Sequence, residues 1–232
     1  MATLLAPPEK LRRAVVSDLR RVRSLASPAR RMLAVAAWVP CGIGLVTSLL
    51  GLRTDAQALG WPMTWGPLFV EAALGLLLVT LALAESVPAR GHPRLLLATA
   101  SAAASLAFLA QALLTSGVSP GGVGPNPLVD HGVQCFALQL SAGVPALVLV
   151  ALLVVRAAPL RAGWAGSLGG TGAGLVADGI YRLHCPVTDL RHVLPWHGGA
   201  ILALSLIGLV AGLGWDRRQR RRMAERLALR SG

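Results

Sequence analysis

Residues 134–155 read Gln134-Cys-Phe-Ala-Leu-Gln-Leu-Ser-Ala-Gly-Val-Pro-Ala-Leu-Val-Leu-Val-Ala-Leu-Leu-Val-Val155, an apolar run without Asp, Glu, Lys or Arg. An apolar run of about 20 residues is long enough to cross the hydrocarbon core of a bilayer as a helix. The run also lacks the alternation of polar and apolar residues that is typical of a transmembrane β-strand. It therefore predicts a transmembrane α-helix.

Five further apolar runs surround this one, in a chain of 232 residues that is 54% hydrophobic and only 14% charged. A soluble domain has about 25% charged residues. The sequence thus predicts an all-α, polytopic membrane protein with six transmembrane helices. The fifth run fits least well, because it is rich in glycine and contains Asp178. The predicted spans lie near residues 33–52, 66–85, 94–115, 134–155, 163–181 and 197–215.

The basic residues are distributed unequally about these spans. Of the 22 Lys and Arg residues, 19 lie before the first span, after the sixth, or in the second and fourth loops. Because loops rich in Lys and Arg stay in the cytoplasm, both termini are predicted to be cytoplasmic and the first, third and fifth loops to face outward. The net charge of +12 is therefore mainly a topology signal and an attraction to anionic lipid headgroups, and it does not indicate nucleic-acid binding. The three remaining basic residues are Arg53, Arg182 and Arg191.

The charge pattern divides the chain into three parts. Residues 1–32 form a predicted cytoplasmic N-terminal arm, residues 33–215 a six-helix transmembrane bundle, and residues 216–232 a basic cytoplasmic tail. In the arm, apolar residues recur at spacings of four, four and three, which predicts an amphipathic helix. This helix either lies on the lipid surface or binds a groove in a cytoplasmic partner. In the second case the binding residues are Leu11, Val15, Leu19 and Val22.

Glycines are spaced four residues apart in the last two predicted spans. Faces of small residues let membrane helices approach closely, so these two spans are predicted to pack together within one bundle. Homodimerisation through the same faces is the alternative. The glycines concerned are Gly166, Gly170 and Gly174 in the fifth span, with Gly208 and Gly212 in the sixth.

The loop between these spans holds the densest group of reactive side chains, Tyr181-Arg-Leu-His-Cys-Pro-Val-Thr-Asp-Leu-Arg-His-Val-Leu-Pro-Trp-His197. Its Cys185 and the Cys135 of the fourth span lie at the outer ends of their spans, so we expect both thiols at one membrane depth. Two such thiols can form a disulfide if their Cα atoms come within about 7 Å. They can equally stay reduced and act as a redox or soft-metal trigger. Cys41, inside the first span, is expected to behave as a small hydrophobe.

Histidines gather around the two thiols. Thiolate and imidazole together suit zinc, cadmium or copper. No Cys-x-x-Cys or His-x-x-x-His spacing is present, however, and histidines that hydrogen-bond loop carbonyls are the commoner explanation. No resident cofactor is predicted, and the one metal expected is a transient heavy metal at Cys135 and Cys185. The candidate metal-binding histidines are His131, His184, His192 and His197.

Ionisable residues within the spans are few. Asp178 is four residues before Arg182 and can pair with it, and Glu71 requires a polar partner or the bundle interior. Such a set does not form the central row of ionisable residues expected of an ion-coupled transporter. The sequence contains neither the residue order of a Ser-His-Asp catalytic triad nor a cofactor-binding motif, so no enzymatic activity is predicted. Two interpretations of the thiols stay open. One is a regulatory membrane protein that senses stress, and the alternative is a membrane thiol oxidoreductase or metal-handling protein that uses Cys135 and Cys185.

Several motifs together resemble the NrsF family of six-span bacterial membrane proteins, which are anti-sigma factors for extracytoplasmic-function sigma factors. The most specific are Tyr181-Arg-Leu-His-Cys-Pro186 and the later Trp196-His197. The stretch Asp18-Leu-Arg-Arg-Val-Arg-Ser-Leu-Ala-Ser-Pro-Ala-Arg-Arg31 before the first span is also similar. So are Cys135 near the start of the fourth span and Arg156-Ala-Ala-Pro159 before the glycine-rich fifth span. The resemblance covers essentially the whole chain.

The resemblance implies a mechanism at the bacterial inner membrane. The N-terminal arm would hold a sigma factor away from RNA polymerase. Two outward-facing cysteines, here Cys135 and Cys185, would respond to oxidants or to heavy metals such as chromate or cadmium. Their modification would alter the bundle and release the sigma factor. The arm is more arginine-rich than the resemblance leads one to expect.

Overall fold

The computed structural model describes residues 8–18, 26–87, 92–116, 131–157, 159 and 161–231, and all regular structure in these ranges is helical. The described residues also include a π-helical turn, Val193–Gly198. The helices are α1 (Glu9–Asp18), α2 (Pro28–Ala36), α3 (Trp38–Leu49), α4 (Ala56–Glu85), α5 (Arg94–Ser116), α6 (Gly132–Val155), α7 (Ala162–Tyr181), α8 (Leu190–His192) and α9 (Gly199–Ser231).

Five helical segments in the described part of the chain are long and apolar enough to span a membrane. They coincide with the first four predicted spans and the sixth, which confirms the prediction of an all-helical protein with several membrane-length helices. The first segment begins five residues earlier than predicted, because Pro28 starts α2 and the helix axis continues through a turn at Ala37 into α3. The five segments are Pro28–Leu49, Ala56–Glu85, Arg94–Ser116, Gly132–Val155 and Leu190–Ala228.

Helix α7 coincides with the predicted fifth span but is not one of the five. It is 20 residues long, and its glycines and Asp178 lower its mean hydropathy. Sixteen of its residues are buried, because α3, α4, α6 and α9 all pack against it. A long helix that is not apolar enough to count among the candidate spans is therefore the centre of the bundle.

The close packing predicted for the last two spans is confirmed. A Cβ atom added to Gly166 would lie 2.0 Å from the carbonyl oxygen of Gly208, and one added to Gly170 would lie 2.2 Å from that of Leu204. On the opposite side of α7, a Cβ at Gly172 would lie 2.5 Å from the carbonyl oxygen of Gly75 in α4. Glycine on both faces therefore lets α4 and α9 approach the α7 backbone.

The predicted amphipathic helix of the arm corresponds to α1, which begins directly after Pro8. Leu11 and Val15 lie within α1, whereas Leu19 and Val22 lie outside the described residues. Their role in binding a partner stays a prediction.

The chain enters the bundle at α2. Ser27 caps this helix by accepting a hydrogen bond from the N–H of Arg30 (3.3 Å), and Pro28 occupies its first turn, where no N–H is required. At the other end of the chain, α9 continues as a helix through the predicted tail.

Candidate functional site

Four side chains from four elements of the chain converge at one end of the bundle. Cys135 lies in the first turn of α6, Cys185 in the loop after α7, His192 in α8 and His197 in the π-helical turn. Each is at most 4% exposed. One ligand-type atom from each residue lies within 4.8 Å of the others. We call these four residues the thiol–imidazole cluster.

The two thiols meet because the chain turns sharply at the end of α7. The N–H of Cys185 donates a hydrogen bond to the carbonyl of Tyr181 (3.1 Å), so the cysteine lies just beyond the helix end. Its Sγ atom is 3.8 Å from the Sγ atom of Cys135, and the two are not joined by a disulfide. The structure thus brings together the two cysteines that the sequence places at one depth. Their function as sensor thiols stays a prediction.

The two histidines are positioned by a capped turn and the π-helical turn that follows it. Asp189 caps α8 by accepting a hydrogen bond from the N–H of Arg191 (2.7 Å). Pro195 has no N–H to donate, which interrupts the α-helical hydrogen-bond pattern at the wider turn. The ring centroids of His192 and His197 are consequently 5.5 Å apart, and Nε2 of His192 is 3.8 Å from Sγ of Cys185.

A buried polar network extends from the cluster into the bundle. Nδ1 of His197 is 2.6 Å from Oδ1 of Asp178, and Oδ2 of Asp178 is 2.8 Å from Nε of Arg182. Arg182 also pairs with Glu71 at 3.1 Å, and Gln111 donates a hydrogen bond to Glu71 at 2.7 Å. The pairing of Asp178 with Arg182 and the polar partners required by Glu71 are thus as predicted. The contact of Asp178 with His197 has no signal in the sequence.

The cysteine loop is fixed by the loop between α3 and α4. The N–H of Arg53 donates to the carbonyl of Leu183 (2.7 Å), and its guanidinium donates to the carbonyl of Pro186 (3.2 Å). The same guanidinium forms a bidentate pair with Asp55 at 2.6 and 2.9 Å. These contacts hold Cys185 against the end of α6.

His131 and His184, the other two candidate metal-binding histidines, are not part of the cluster. Both line a cavity of about 380 Å³ that also reaches Cys135 and Cys185. Nδ1 of His184 is 3.1 Å from the carbonyl oxygen of Gly51, which is the structural role expected of an interfacial histidine. His131 is exposed and precedes α6 with a φ of 61°.

The environment of Cys185 favours its protonated form. Contact with the Cys135 thiol raises the pKa of Cys185, burial raises it further, and the nearby imidazoles of His192 and His197 offset only part of the increase. The arrangement is suited to two kinds of chemistry, joining the thiols in a disulfide and binding a thiophilic cation.

The fold and the site define a helical protein with several membrane-length helices and a buried pair of thiols at one end of the bundle. The chain belongs to the NrsF family, because the family model described as "Negative regulator of sigma F" matches residues 15–215. It is 30% identical over 205 residues to the anti-sigma-F factor NrsF of Caulobacter vibrioides (strain NA1000 / CB15N), a match that covers 86% of this chain and 94% of that protein. No solved structure matches. The resemblance seen in the motifs is confirmed, and the family is one of anti-sigma factors, a regulatory and not an enzymatic kind of protein.

Proposed function

We propose that the protein is an inner-membrane anti-sigma factor that binds an extracytoplasmic-function sigma factor through residues 1–32. It releases the sigma factor when outward-facing Cys135 and Cys185 react with oxidants or heavy metals. Membership of the family supports the anti-sigma function. The observation that supports the sensing function is the 3.8 Å separation of two buried sulfur atoms that are 50 residues apart in the chain.

The proposed topology has six spans with both termini in the cytoplasm. Helix α7 counts as the sixth spanning helix because it is as long as a span and is surrounded by candidate spans. Helix α6 carries Cys135 in its first turn, and the carbonyl of Leu153 in its last turn accepts a hydrogen bond from Arg31 (3.1 Å). The thiols and Arg31, at the end of the arm, are therefore at opposite ends of the bundle. With the arginine-rich end in the cytoplasm, the thiols face outward.

Oxidation of the thiol pair would change the geometry of this end. A two-electron oxidant such as a peroxide takes two electrons and two protons from the thiols, is reduced to water, and leaves one S–S bond. That bond is about 2.05 Å long, so the sulfur atoms must approach by nearly 2 Å. The approach moves either the loop that carries Cys185 or the first turn of α6. This movement releases the sigma factor if the bundle with the disulfide has a lower affinity for the sigma factor than the bundle with reduced thiols.

The proposal is tested by co-purification from solubilised membranes, with and without peroxide or cadmium. A sigma factor should co-purify with the wild-type protein and with the Cys135→Ser/Cys185→Ser double variant. Treatment should release it from the wild type alone. Cys41→Ser is the matched control, because Cys41 is at the surface of α3, outside the cluster, and this variant should respond as the wild type does.

Two results would contradict the proposal. If no sigma factor co-purifies under any condition, the anti-sigma function is wrong, and the thiol oxidoreductase interpretation gains support. If the double variant releases the partner as the wild type does, the cysteines are not the trigger. Deleting residues 1–28 separates the two interpretations, because it should abolish co-purification but leave a thiol oxidoreductase active.

A further inference from the structure

We propose that the thiol–imidazole cluster is a closed site for one divalent cation of the zinc type, Zn²⁺ or Cd²⁺. Its four ligands are Cys135, Cys185, His192 and His197. The inference rests on the proposed function, because it names the ligands through which the proposed sensor responds to a metal. It goes beyond that function in assigning two histidines and a coordination geometry.

The distances between the donor atoms are close to those of a tetrahedral site. Zinc binds thiolate sulfur at about 2.3 Å and imidazole nitrogen at about 2.0–2.1 Å, which places two thiolates about 3.8 Å apart and a sulfur about 3.6 Å from a nitrogen. The sulfur atoms of Cys135 and Cys185 are 3.8 Å apart, and Nε2 of His192 is 3.8 Å from the sulfur of Cys185. The four donors all lie within 4.8 Å of one another, so no pair has to approach by more than about 1.5 Å to reach tetrahedral spacing.

The orientation of His197 is that of a metal-binding histidine. A carboxylate that holds one ring nitrogen of a ligand histidine fixes the ring and leaves the other nitrogen for the metal. Asp178 holds Nδ1 of His197 in this way at 2.6 Å. Nε2 of His197 is buried and has no hydrogen-bond partner among the described residues. A buried polar atom without a partner costs free energy, and a bound cation would supply that partner.

The set of donors selects the class of cation. Two thiolates and two imidazoles suit Zn²⁺ and Cd²⁺, whereas Mg²⁺ and Ca²⁺ prefer oxygen ligands. Two thiolates also neutralise the charge of a divalent cation. Four protein ligands complete a tetrahedral shell and leave no open position for a substrate, as in structural rather than catalytic sites. The cavity of about 380 Å³ beside Cys135 and Cys185 provides the path of entry.

Metal binding would couple the cluster to the rest of the bundle. Closing the donor set draws the imidazoles of α8 and the π-helical turn toward the two sulfur atoms, which are already at the tetrahedral separation. His197 remains bonded to Asp178, which is paired with Arg182. The cation therefore favours the arrangement in which the four donors are close together. The size of this effect is set by the difference between the affinities of the close and the separated arrangements for the cation.

The test uses the purified full-length protein in detergent, reduced, with Cd²⁺ as the probe. We expect one Cd²⁺ per chain, a thiolate-to-cadmium absorption band, and an X-ray absorption spectrum that fits two sulfur and two nitrogen ligands. His192→Ala and His197→Ala should each weaken Cd²⁺ binding by more than the roughly 10–100-fold typical of substitutions outside the ligand shell. His131→Asn is the matched control and should bind as the wild type does, because His131 lines the cavity but lies outside the cluster.

The X-ray absorption spectrum of the wild-type protein with bound Cd²⁺ identifies the ligand atoms even if a histidine variant does not fold. Coordination by sulfur alone, a stoichiometry other than one, or wild-type affinity in folded His197→Ala would each overturn the inference. Sigma-factor co-purification on the same preparations separates the two proposals. If an oxidant releases the partner but the histidines do not bind Cd²⁺, only the metal site is wrong. If Cd²⁺ binds as expected but no sigma factor co-purifies, only the anti-sigma function is wrong.

Discussion

At the scale of single residues, Asp178 connects the cluster to the interior of the bundle. Its side chain is fully buried, with one carboxylate oxygen on His197 and the other on Arg182. The sequence could predict the pair with Arg182, because residues four apart share one face of a helix. It could not predict the contact with His197. That contact depends on how the π-helical turn is oriented against α7, and no local spacing determines this orientation.

Replacing Arg182 should be strongly destabilising. Arg182 is the cation shared by Asp178 and Glu71, and all three are buried. Arg182→Met keeps the length of the side chain but leaves two buried carboxylates without their partner. Removing one partner of a buried ion pair costs about 3–5 kcal/mol. We expect a loss of this size in the free energy of unfolding, measured by denaturation in detergent.

Arg191→Met is the matched control for this substitution. Arg191 also pairs with an aspartate, Asp189 at 3.1 Å, but its side chain is exposed. Exposed ion pairs contribute little to stability, so this variant should unfold at the wild-type midpoint. If the two substitutions lowered the free energy of unfolding equally, burial would not explain how much the Asp178 network contributes to stability.

At the scale of helices, α7 illustrates what a hydropathy pattern can and cannot predict. The sequence places a span at 163–181, and the helix observed is Ala162–Tyr181. The spacing of the glycines also predicts close packing against the following span. The central position of α7 is not predictable in this way, because glycine lowers the hydropathy of a helix while it lets other backbones approach. The contact of Gly172 with Gly75 in α4 likewise requires knowledge of which helices are neighbours.

A methyl group at the contact between α7 and α9 should destabilise the bundle. In Gly208→Ala the new Cβ atom would lie 2.1 Å from the carbonyl oxygen of Gly166, which is backbone and cannot rotate away. Overpacking of this kind costs about 1–3 kcal/mol. Gly214→Ala, in the same helix, is the control, because nothing lies within 4 Å of its added Cβ. Thermal unfolding in detergent should separate the two variants, and coincident melting curves would contradict the packing described.

At the scale of the whole molecule, two helices connect the cluster to the arm. Helix α6 runs from Cys135 to Leu153, and α4 runs from Glu71, in the buried network, to Leu83. Arg31 donates hydrogen bonds to the carbonyls of Leu83 (3.0 Å) and Leu153 (3.1 Å), in the last turns of these helices. Such terminal carbonyls have no partner within their own helix. The sequence assigns Arg31 to the basic arm, because a count of charges cannot distinguish a solvated arginine from one that binds helix ends.

Removing Arg31 should therefore weaken the response of the arm to the thiols. Arg31 directly follows the exposed Arg30 and also donates a hydrogen bond to Oγ of Ser86 (3.2 Å). Without these bonds, only apolar packing holds α2 to α4 and α6. A change at Cys135 then has a weaker connection to the arm that is proposed to bind the sigma factor. In Arg31→Ala, peroxide or cadmium should release a smaller fraction of co-purified sigma factor than in the wild type. Arg30→Ala should respond as the wild type does, since its side chain is exposed. Full release from Arg31→Ala would mean that the signal reaches the arm by another route, and α3 is then the element to examine, because it follows α2 directly and packs against α7.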